Sequence, residues 1–352
     1  MTAAPVLQVR DLQVSYSTER GPVHAVNGLS LDVHAGESLG LVGESGSGKT
    51  TVALALMRVL PENGRITRGQ AILDGVDLLA ISEDEMNAQR WKNVSMIFQA
   101  AMNSLNPLYH VADQIIEAMQ AHETPGEAHG GERGKGVFAA LTGVRAKVAA
   151  QTGSHKRARE RVKELFALVG LDEGLMDRYP HEYSGGMRQR AVIAQALVCS
   201  PRLVIADEPT TALDVLVQDL ILKELRRIQA ERSMAMIYIS HDIGVIAEMS
   251  DSVGVMYGGT LVELGPVDEV FASPRHPYTS GLLASVPSVV GERRPLAMLP
   301  GEPPDLAGLP PGCPFAPRCP RALERCGRDL PAQEGPVRHW FRCWNPVPEK
   351  AQ

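Results

Sequence analysis

The sequence predicts an α/β fold with a parallel sheet in its core, and two apolar segments with a helix between them carry this prediction. The segments "RLVIADE", residues 202–208, and "MAMIYISHD", residues 234–242, are nearly unbroken apolar runs, as expected of strands buried on both faces of a parallel sheet. Between them, "DVLVQDLILKELRRIQAE" is typical of the crossover helix that parallel strands require. At 352 residues, the chain is long enough for two domains or for one large domain with appendages.

Other segments predict further elements around this core. Residues 6–40 alternate apolar and polar stretches, which is typical of half-buried strands, and "QAILDGVDL", residues 70–78, predicts another hairpin. Residues 100–190 are mostly helical in pattern and include a basic, Gly- and Ala-rich stretch. A solvated loop is the simpler interpretation of that stretch, and contact with lipid headgroups or RNA is the alternative. After residue 266 proline becomes frequent, which indicates a separate C-terminal region.

Composition and charge narrow the classes of function. The net charge of −6 gives no global basic field, so we expect no nucleic acid as the main partner. The N-terminal segment "MTAAPVLQVRDLQVSY" lacks the basic start and apolar stretch of a secretory signal, and no apolar run exceeds about six residues. The sequence therefore predicts a chain that stays in the cytoplasm without spanning a bilayer.

A glycine-rich segment predicts a phosphate site. "GESGSGKT", residues 43–50, matches the pattern G-x-x-x-x-G-K-[ST] between a strand pattern and a helix pattern, which is the context this motif requires. The glycines let backbone N–H groups face the phosphates, Lys49 supplies a point charge, and Thr50 supplies a hydroxyl for Mg²⁺. We therefore expect nucleotide binding by Gly43, Glu44, Ser45, Gly46, Ser47, Gly48, Lys49, Thr50 and Thr51.

Two adjacent acids at the end of the first buried strand complete this site. Asp207 can reach Mg²⁺ directly or through water. Glu208 lies one residue further, where its carboxylate could orient and polarise an attacking water. The sequence thus assigns different roles to two neighbouring carboxylates.

A third segment, "YSGGMRQR", residues 183–190, resembles the signature of ABC transporter ATPases. The resemblance implies a P-loop NTPase (RecA-like) core of ABC type, with an antiparallel β subdomain, an inserted helical subdomain at about 100–190 and a C-terminal extension. It divides the chain into an ATPase domain, residues 1–265, and the extension, residues 266–352. ATP and Mg²⁺ are the cofactors implied.

The same resemblance implies that two cassettes share each catalytic site. In the family, the residues corresponding to Ser184, Gly185 and Gly186 contact the γ-phosphate of an ATP held by the opposite subunit. A hydroxyl, two glycines and a helix N-terminus suit an anion. The usual pattern is Leu-Ser-Gly-Gly-Gln, so Tyr183 and Met187 depart from it at the two ends.

Further positions match the family one by one. Tyr16 resembles the aromatic residue that stacks on adenine, and Gln99 resembles the glutamine that senses Mg²⁺ and couples the site to the membrane subunits. His241 resembles the switch histidine that touches the γ-phosphate, and Asp214 resembles the residue of the loop that connects the two sites. The resemblance therefore implies that Glu208 and His241 are catalytic.

Two segments narrow the resemblance to oligopeptide and dipeptide importers. These are "RHPYTSGLLASVP", residues 275–287, and "AAMNSLNPL", residues 100–108. The implied partners are a second ATPase subunit, two transmembrane permeases and an extracytoplasmic binding protein, with this chain peripheral on the cytoplasmic face of the cell membrane. The alternatives are an importer of nickel or another solute, a soluble ABC-type ATPase acting on ribosomes or nucleic acid, and a catalytically weak subunit.

Four cysteines near the C-terminus predict a metal site. Cys313, Cys319, Cys326 and Cys343 are spaced C-x5-C-x6-C-x16-C, unlike common zinc modules or the compact ferredoxin run. Spacing alone leaves a tetrahedral zinc and a [4Fe–4S] cluster equally open, since four thiolates close both. Some peptide importers of this type have a similar tail with an iron–sulfur cluster, so the resemblance favours [4Fe–4S] over zinc and over metal-free thiols.

Overall fold

The chain folds into two units, seen in a computed structural model that describes residues 4–99, 104–122, 153–211, 213–285 and 299–349. The first unit contains Met1–Met86, Leu203–Glu208 and Gln229–Gln352, and the second contains Asn87–Arg202 and Pro209–Ile228. The chain thus enters the second unit twice and returns to the first each time. The boundary at residue 265 remains a prediction.

The strands of the described residues are β1 (Leu7–Thr18), β2 (Gly21–Val33), β3 (Ser38–Val42), β4 (Gly64–Leu73), β5 (Val76–Asp77), β6 (Val94–Ile97), β7 (Leu203–Asp207), β8 (Ala235–Ile239), β9 (Ser252–Tyr257), β10 (Thr260–Pro266) and β11 (Trp340–Phe341). The α-helices are α1 (Lys49–Leu56), α2 (Glu83–Gln89), α3 (Val111–Ala121), α4 (Gly153–Leu168), α5 (Gly185–Ala196), α6 (Val215–Arg232), α7 (Ile243–Met249), α8 (Val267–Ala272) and α9 (Pro277–Ala284). No helix of this described part of the chain is long and apolar enough to cross a membrane.

The predicted parallel sheet lies in the first unit, where the strand order is β11-β10-β9-β3-β8-β7. Strands β9, β3, β8 and β7 run parallel, and β10 and β11 extend the sheet with antiparallel pairing. The apolar runs at 202–208 and 234–242 form β7 and β8, in which every residue is buried. Helix α6 is the predicted crossover between them, so the prediction of an α/β core is confirmed.

The predicted half-buried strands form a second, antiparallel sheet in the first unit, in the order β2-β1-β4-β5. In β1, Leu7 and Val9 face the core, and so do Leu12 and Val14. This change from odd to even positions follows from an irregularity in the pairing between Val9 and Leu12, where Asp11 has a φ of 48°. An extra residue in one strand moves the side-chain alternation to the other phase.

Helix α1 ends earlier than the predicted end near Pro61. It stops at Leu56 because Arg58 takes a left-handed φ of 52°. The Arg58 N–H then donates to the Ala55 carbonyl at 3.0 Å, and the Val59 N–H donates to the Leu54 carbonyl at 2.9 Å. This pair of hydrogen bonds closes the helix in a Schellman motif.

The second unit contains the predicted helical segment. Helices α3, α4 and α5 pack against one another through buried apolar side chains such as Ile115, Phe166 and Ala191. The prediction of helices within residues 100–190 is confirmed for this part. Most of the basic stretch lies outside the described residues.

Within the first unit, a buried carboxylate joins the C-terminal region to strand β10. Glu263 on β10 is fully buried and accepts hydrogen bonds from the backbone N–H groups of Arg275 at 2.7 Å and His276 at 2.9 Å. Its other contact is His339 Nε2 at 2.9 Å. Because a buried carboxylate without partners is costly, these contacts hold the segment before β11 against the sheet edge.

Candidate functional site

The segment from Gly43 to Gly48 joins β3 to α1 and forms the predicted phosphate loop. Gly43 has a φ of 150°, and a Cβ there would lie 2.1 Å from the Met256 carbonyl oxygen. Gly48 has a φ of 103°, and a Cβ there would lie 2.2 Å from the Ala25 carbonyl oxygen. Both positions require glycine, because another residue would be strained and would collide with backbone atoms that cannot move aside.

Lys49 fills the centre of this loop. Its side chain is buried, and Nζ donates to the Gly43 carbonyl at 2.8 Å, the Glu44 carbonyl at 3.0 Å and Ser47 Oγ at 3.3 Å. Burial lowers the pKa of Lys49, and the Glu208 and Asp207 carboxylates oppose that shift. The loop therefore holds a cation where the loop amides can face an anion.

Asp207 at the end of β7 has a buried carboxylate. The Thr50 hydroxyl donates a hydrogen bond to its carboxylate, and burial raises the pKa of Asp207. Its Oδ1 atom has no hydrogen-bond partner among the described residues. A hydroxyl beside a carboxylate with an unpartnered oxygen is a donor set that suits Mg²⁺.

Glu208 and His241 form a hydrogen-bonded pair beside this carboxylate. Glu208 adopts a left-handed φ of 46°, and its N–H donates to the Ile239 carbonyl at 2.8 Å. His241 Nδ1 lies 2.9 Å from Glu208 Oε1, and the histidine side chain is 70% exposed against 15% for the glutamate. The pair therefore extends from a mostly buried carboxylate to an imidazole at the solvent-facing edge of the site.

Tyr16 on β1 lies beside the helix that follows the loop. Its hydroxyl donates to Thr51 Oγ1 at 3.2 Å. Its ring lies over Gly64, where a Cβ would approach the ring to 2.8 Å. The first unit thus brings together the phosphate loop, Asp207, Glu208, His241 and Tyr16.

The remaining predicted nucleotide residues lie in the second unit. Ser184 is exposed, caps α5 and accepts a hydrogen bond from the Met187 N–H at 3.3 Å, and the two glycines after it begin that helix. Tyr183 is buried, and its hydroxyl donates to the Leu175 carbonyl at 2.8 Å. This hydrogen bond satisfies the buried hydroxyl of the tyrosine that departs from the family pattern.

Gln99 and Asp214 lie at the ends of elements in the same unit. Gln99 is exposed in the turn after β6. Asp214 precedes α6, and its Oδ1 accepts a hydrogen bond from the Val217 N–H at 3.0 Å. The aspartate therefore caps the crossover helix.

The four clustered cysteines line one small cavity in the C-terminal region. None of them forms a disulfide. Burial raises the pKa of Cys313 to about 12 and of Cys343 to about 11, and it also raises the pKa of Cys319. Burial therefore favours the neutral thiol at these three positions unless a cation approaches them.

Each of the four sulfurs also accepts a hydrogen bond from a nearby backbone N–H. The donors for Cys326 and Cys343 are Leu323 and Asn345, both at 3.4 Å. Cys313 and Cys319 accept from Phe315 and Arg321. The predicted metal site is nevertheless not shown, because within the described ranges no three His, Cys, Asp or Glu side chains form a group that could hold a metal ion.

Comparison with known proteins identifies the family. Residues 26–211, more than half of the chain, match the family model described as ABC transporter. The chain belongs to the ABC transporter family. Residues 262–326 match a second model, described as oligopeptide/dipeptide transporter, C-terminal region.

Curated relatives match this ABC transporter chain over nearly its whole length. It is 43% identical to the oligopeptide transport ATP-binding protein OppD of Escherichia coli K12, over 99% of this chain and 95% of the relative. It is 41% identical to the dipeptide transport ATP-binding protein DppD of Bacillus subtilis 168, over 96% and 94% respectively. The resemblance to the ABC family is thus confirmed, whereas the four-cysteine metal site is not.

Solved structures confirm the ABC ATPase fold. The ATP-binding cassette MJ0796, in a dimeric post-hydrolysis state with ADP and Pi, has a TM-score of 0.59 at 21% identity, covering 74% of this chain and 98% of that one. The cassette cbiO1 of Clostridium perfringens has a TM-score of 0.58 at 23% identity, covering 77% and 92% respectively. At these identities the likeness concerns the fold.

The ABC sequence motifs do not reveal two residues that contact the phosphate loop. Arg318 pairs with the Glu44 carboxylate, and the Tyr278 hydroxyl accepts a hydrogen bond from the Glu44 N–H at 2.8 Å. Both residues come from the C-terminal part of the chain. In the sequence, the one indication is the acidic Glu44 within a glycine-rich loop. It suggests a cationic partner but does not identify which residue that partner is.

We predict that Gly43→Ala destabilises the protein by about 2 kcal/mol or more and abolishes nucleotide binding, because the new methyl group meets a backbone carbonyl. The matched control is Gly21→Ala, at a φ of 107° with open space around the new Cβ. It should cost about 1 kcal/mol, since only backbone strain is added. Denaturant unfolding and titration with fluorescent ATP measure both effects, and equal behaviour of the two variants would contradict the prediction.

We predict that Asp207→Asn stabilises the nucleotide-free protein at pH 7 and removes its stabilisation by Mg²⁺ and ATP. Because burial raises the pKa of Asp207, the folded chain favours the protonated acid. The stability from this group is present below the unfolded pKa of about 4 and is lost as pH rises through the folded value. The gain from asparagine should therefore appear at pH 7 and vanish near pH 4.

Denaturant unfolding at the two pH values, with and without Mg²⁺ and ATP, measures both the gain in stability and the loss of the response to ligand. The control is Glu62→Gln at an exposed position, which should change neither quantity. A loss of stability at pH 7 would mean that burial of the Asp207 carboxylate does not destabilise the fold. A retained response to Mg²⁺ and ATP would mean that Asp207 does not bind the metal.

Proposed function

We propose that this chain is the ATP-hydrolysing subunit of an importer that takes up peptides across the cytoplasmic membrane. The observation that carries the proposal is the near-full-length similarity to oligopeptide and dipeptide transport ATP-binding proteins. The match of residues 262–326 to the oligopeptide/dipeptide transporter C-terminal region extends that similarity beyond the part common to all ABC ATPases. The chain acts peripherally on the cytoplasmic face of the membrane.

In this proposal Lys49 and the loop amides bind the phosphates of ATP, and Tyr16 stacks on the adenine. Thr50 and Asp207 bind Mg²⁺, assisted by Gln99. Support for the Mg²⁺ role comes from the unpartnered Asp207 oxygen beside the Thr50 hydroxyl. Bound Mg²⁺ neutralises the charge that develops on the transferred phosphoryl group.

Glu208 polarises the attacking water, and His241 stabilises charge on the γ-phosphate. The hydrogen bond between them supports this division of roles, since it orients the glutamate and sets the imidazole next to the expected reaction centre. The left-handed backbone at Glu208 is a second supporting observation, because such strain persists where the surrounding structure imposes a particular side-chain direction.

The catalytic site is completed by a second ATPase subunit. The partner's signature segment, equivalent to Ser184, Gly185 and Gly186, contacts the γ-phosphate, and Asp214 connects the two sites. Ser184 is exposed at the N-terminus of a twelve-residue helix, which is suited to an anion. Closure of two cassettes on ATP and their separation after hydrolysis move two permeases, which receive peptide from an extracytoplasmic binding protein.

We predict that Glu208→Gln lowers ATP turnover of the assembled importer about 10²-fold or more while ATP binding persists, because the amide cannot take a proton from water. Phosphate release by the complex in proteoliposomes measures turnover, and accumulation of labelled peptide measures transport. The matched control is the exposed Glu62→Gln, which should behave as the unsubstituted protein.

Unchanged turnover in Glu208→Gln would sink the catalytic assignment. For the transport assignment, peptide supplied with the binding protein should stimulate hydrolysis in the unsubstituted complex. Stimulation by nickel alone, or co-purification with ribosomes instead of permeases, would replace the peptide proposal with another function.

We also propose that the cavity lined by Cys313, Cys319, Cys326 and Cys343 holds a [4Fe–4S] cluster. The support for this proposal is that the four thiols share one cavity. Four thiols around one cavity, each with an N–H donor, suit such a cluster.

We predict that anaerobically purified protein is brown and contains about four iron atoms per chain. Cys313→Ser should lose the visible absorption and most of the iron, because it removes one of four ligands. The control is Cys199→Ser, outside the cavity, which should keep both. A colourless protein that contains zinc, or an equal loss of iron from both variants, would overturn the cluster assignment.

A further inference from the structure

The C-terminal region reaches the phosphate loop through one arginine. Arg318 donates from both terminal nitrogens to the Glu44 carboxylate, from NH1 at 2.7 Å and from NH2 at 3.0 Å. NH1 also donates to the Tyr257 hydroxyl at 3.0 Å. The side chain of Arg318 is only 8% exposed and that of Glu44 21%. A bidentate pair that is shielded from water in this way is strong and directional.

The pair acts on the residue that also orients the loop lysine. The Glu44 N–H donates to the Tyr278 hydroxyl at 2.8 Å, and the Glu44 carbonyl accepts from Lys49 Nζ at 3.0 Å. The side chain, the N–H and the carbonyl of this one loop residue are therefore all engaged. The Arg318 contact therefore restrains a residue whose carbonyl is bonded to the buried cation.

Arg318 is itself held by the segment that contains the clustered cysteines. It ends the 3₁₀ turn Ala316–Arg318, directly before Cys319. Its backbone N–H donates to the Phe315 carbonyl at 3.0 Å, and its Nε donates to the Pro300 carbonyl at 2.6 Å. The turn lies between two cysteines that line the cavity, so its position depends on how that segment folds.

We propose that Arg318 is a positioning residue for the ATP site, which links the folded state of the cysteine segment to the affinity of the phosphate loop for nucleotide. It touches no reacting atom and acts through Glu44. The proposal rests on the proposed function only in that the loop binds ATP. It concerns the affinity for nucleotide, so it stands apart from the identity of the transported solute.

The test compares Arg318→Gln, Arg318→Lys, Glu44→Gln and the double variant Arg318→Gln/Glu44→Gln in the full chain. ATP affinity is measured by calorimetry with Mg²⁺, and KM and kcat are measured in the assembled importer. We expect Arg318→Gln and Glu44→Gln each to weaken ATP binding about tenfold, since each removes a charge-assisted pair. Arg318→Lys should give a smaller loss, because an ammonium cannot make the bidentate contact.

The double variant should be no weaker than either single variant, since both substitutions remove the same interaction. KM should rise about tenfold while kcat at saturating ATP changes less than about twofold. The matched control is Arg328→Gln, which removes an exposed arginine that pairs with exposed Glu324 in the same region. It should leave affinity, KM and kcat unchanged.

A merely structural role for Arg318 predicts a different pattern. Arg318→Gln would then lower the unfolding temperature and kcat together, and Glu44→Gln would leave KM unchanged. That pattern, or wild-type ATP affinity in both single variants, would overturn the proposal. If instead the unsubstituted chain bound no ATP at all, the proposed function would fail.

Discussion

Lys49 is a buried cation inside a loop of backbone, and much of the first unit serves to hold it there. Removing an ammonium from water is costly unless oxygen atoms replace the water, and two loop carbonyls and a serine hydroxyl do so. The carbonyls can surround the lysine only because Gly43 and Gly48 fit against neighbouring backbone without a Cβ. The Asp207 and Glu208 carboxylates add opposite charge at the end of β7.

In this arrangement the charges of Lys49, Asp207 and Glu208 act on one another. Asp207 is buried with one oxygen unpartnered among the described residues, and Glu208 is held in a left-handed backbone conformation. Neither feature favours the fold by itself. In the proposed function, Mg²⁺ and the phosphates of ATP bind next to these groups, so ligand binding offsets the stability that they cost the folded chain.

The sequence predicts those parts of the fold that are formed by short contiguous segments of the chain. The strands β7 and β8 are unbroken apolar runs, and the phosphate loop is a contiguous motif, so the sequence alone predicts both. Apolar periodicity places the end of α1 too late, because it contains no sign of the left-handed backbone at Arg58. The pair Arg318–Glu44 joins residues 274 positions apart, and no local pattern connects them. The cysteine spacing likewise predicts that four thiols lie together, but it does not predict how they are arranged around the cavity.

Strand β11 forms one edge of the parallel-core sheet, although its residues come late in the chain. It is made from Trp340 and Phe341, yet it pairs with β10, which is complete by Pro266. During synthesis the β10 edge therefore lacks its β11 neighbour until Trp340 and Phe341 have left the ribosome. An uncovered strand edge offers its N–H and C=O groups to other chains. A product that ends before Trp340 consequently leaves the β10 edge open to pairing with other chains.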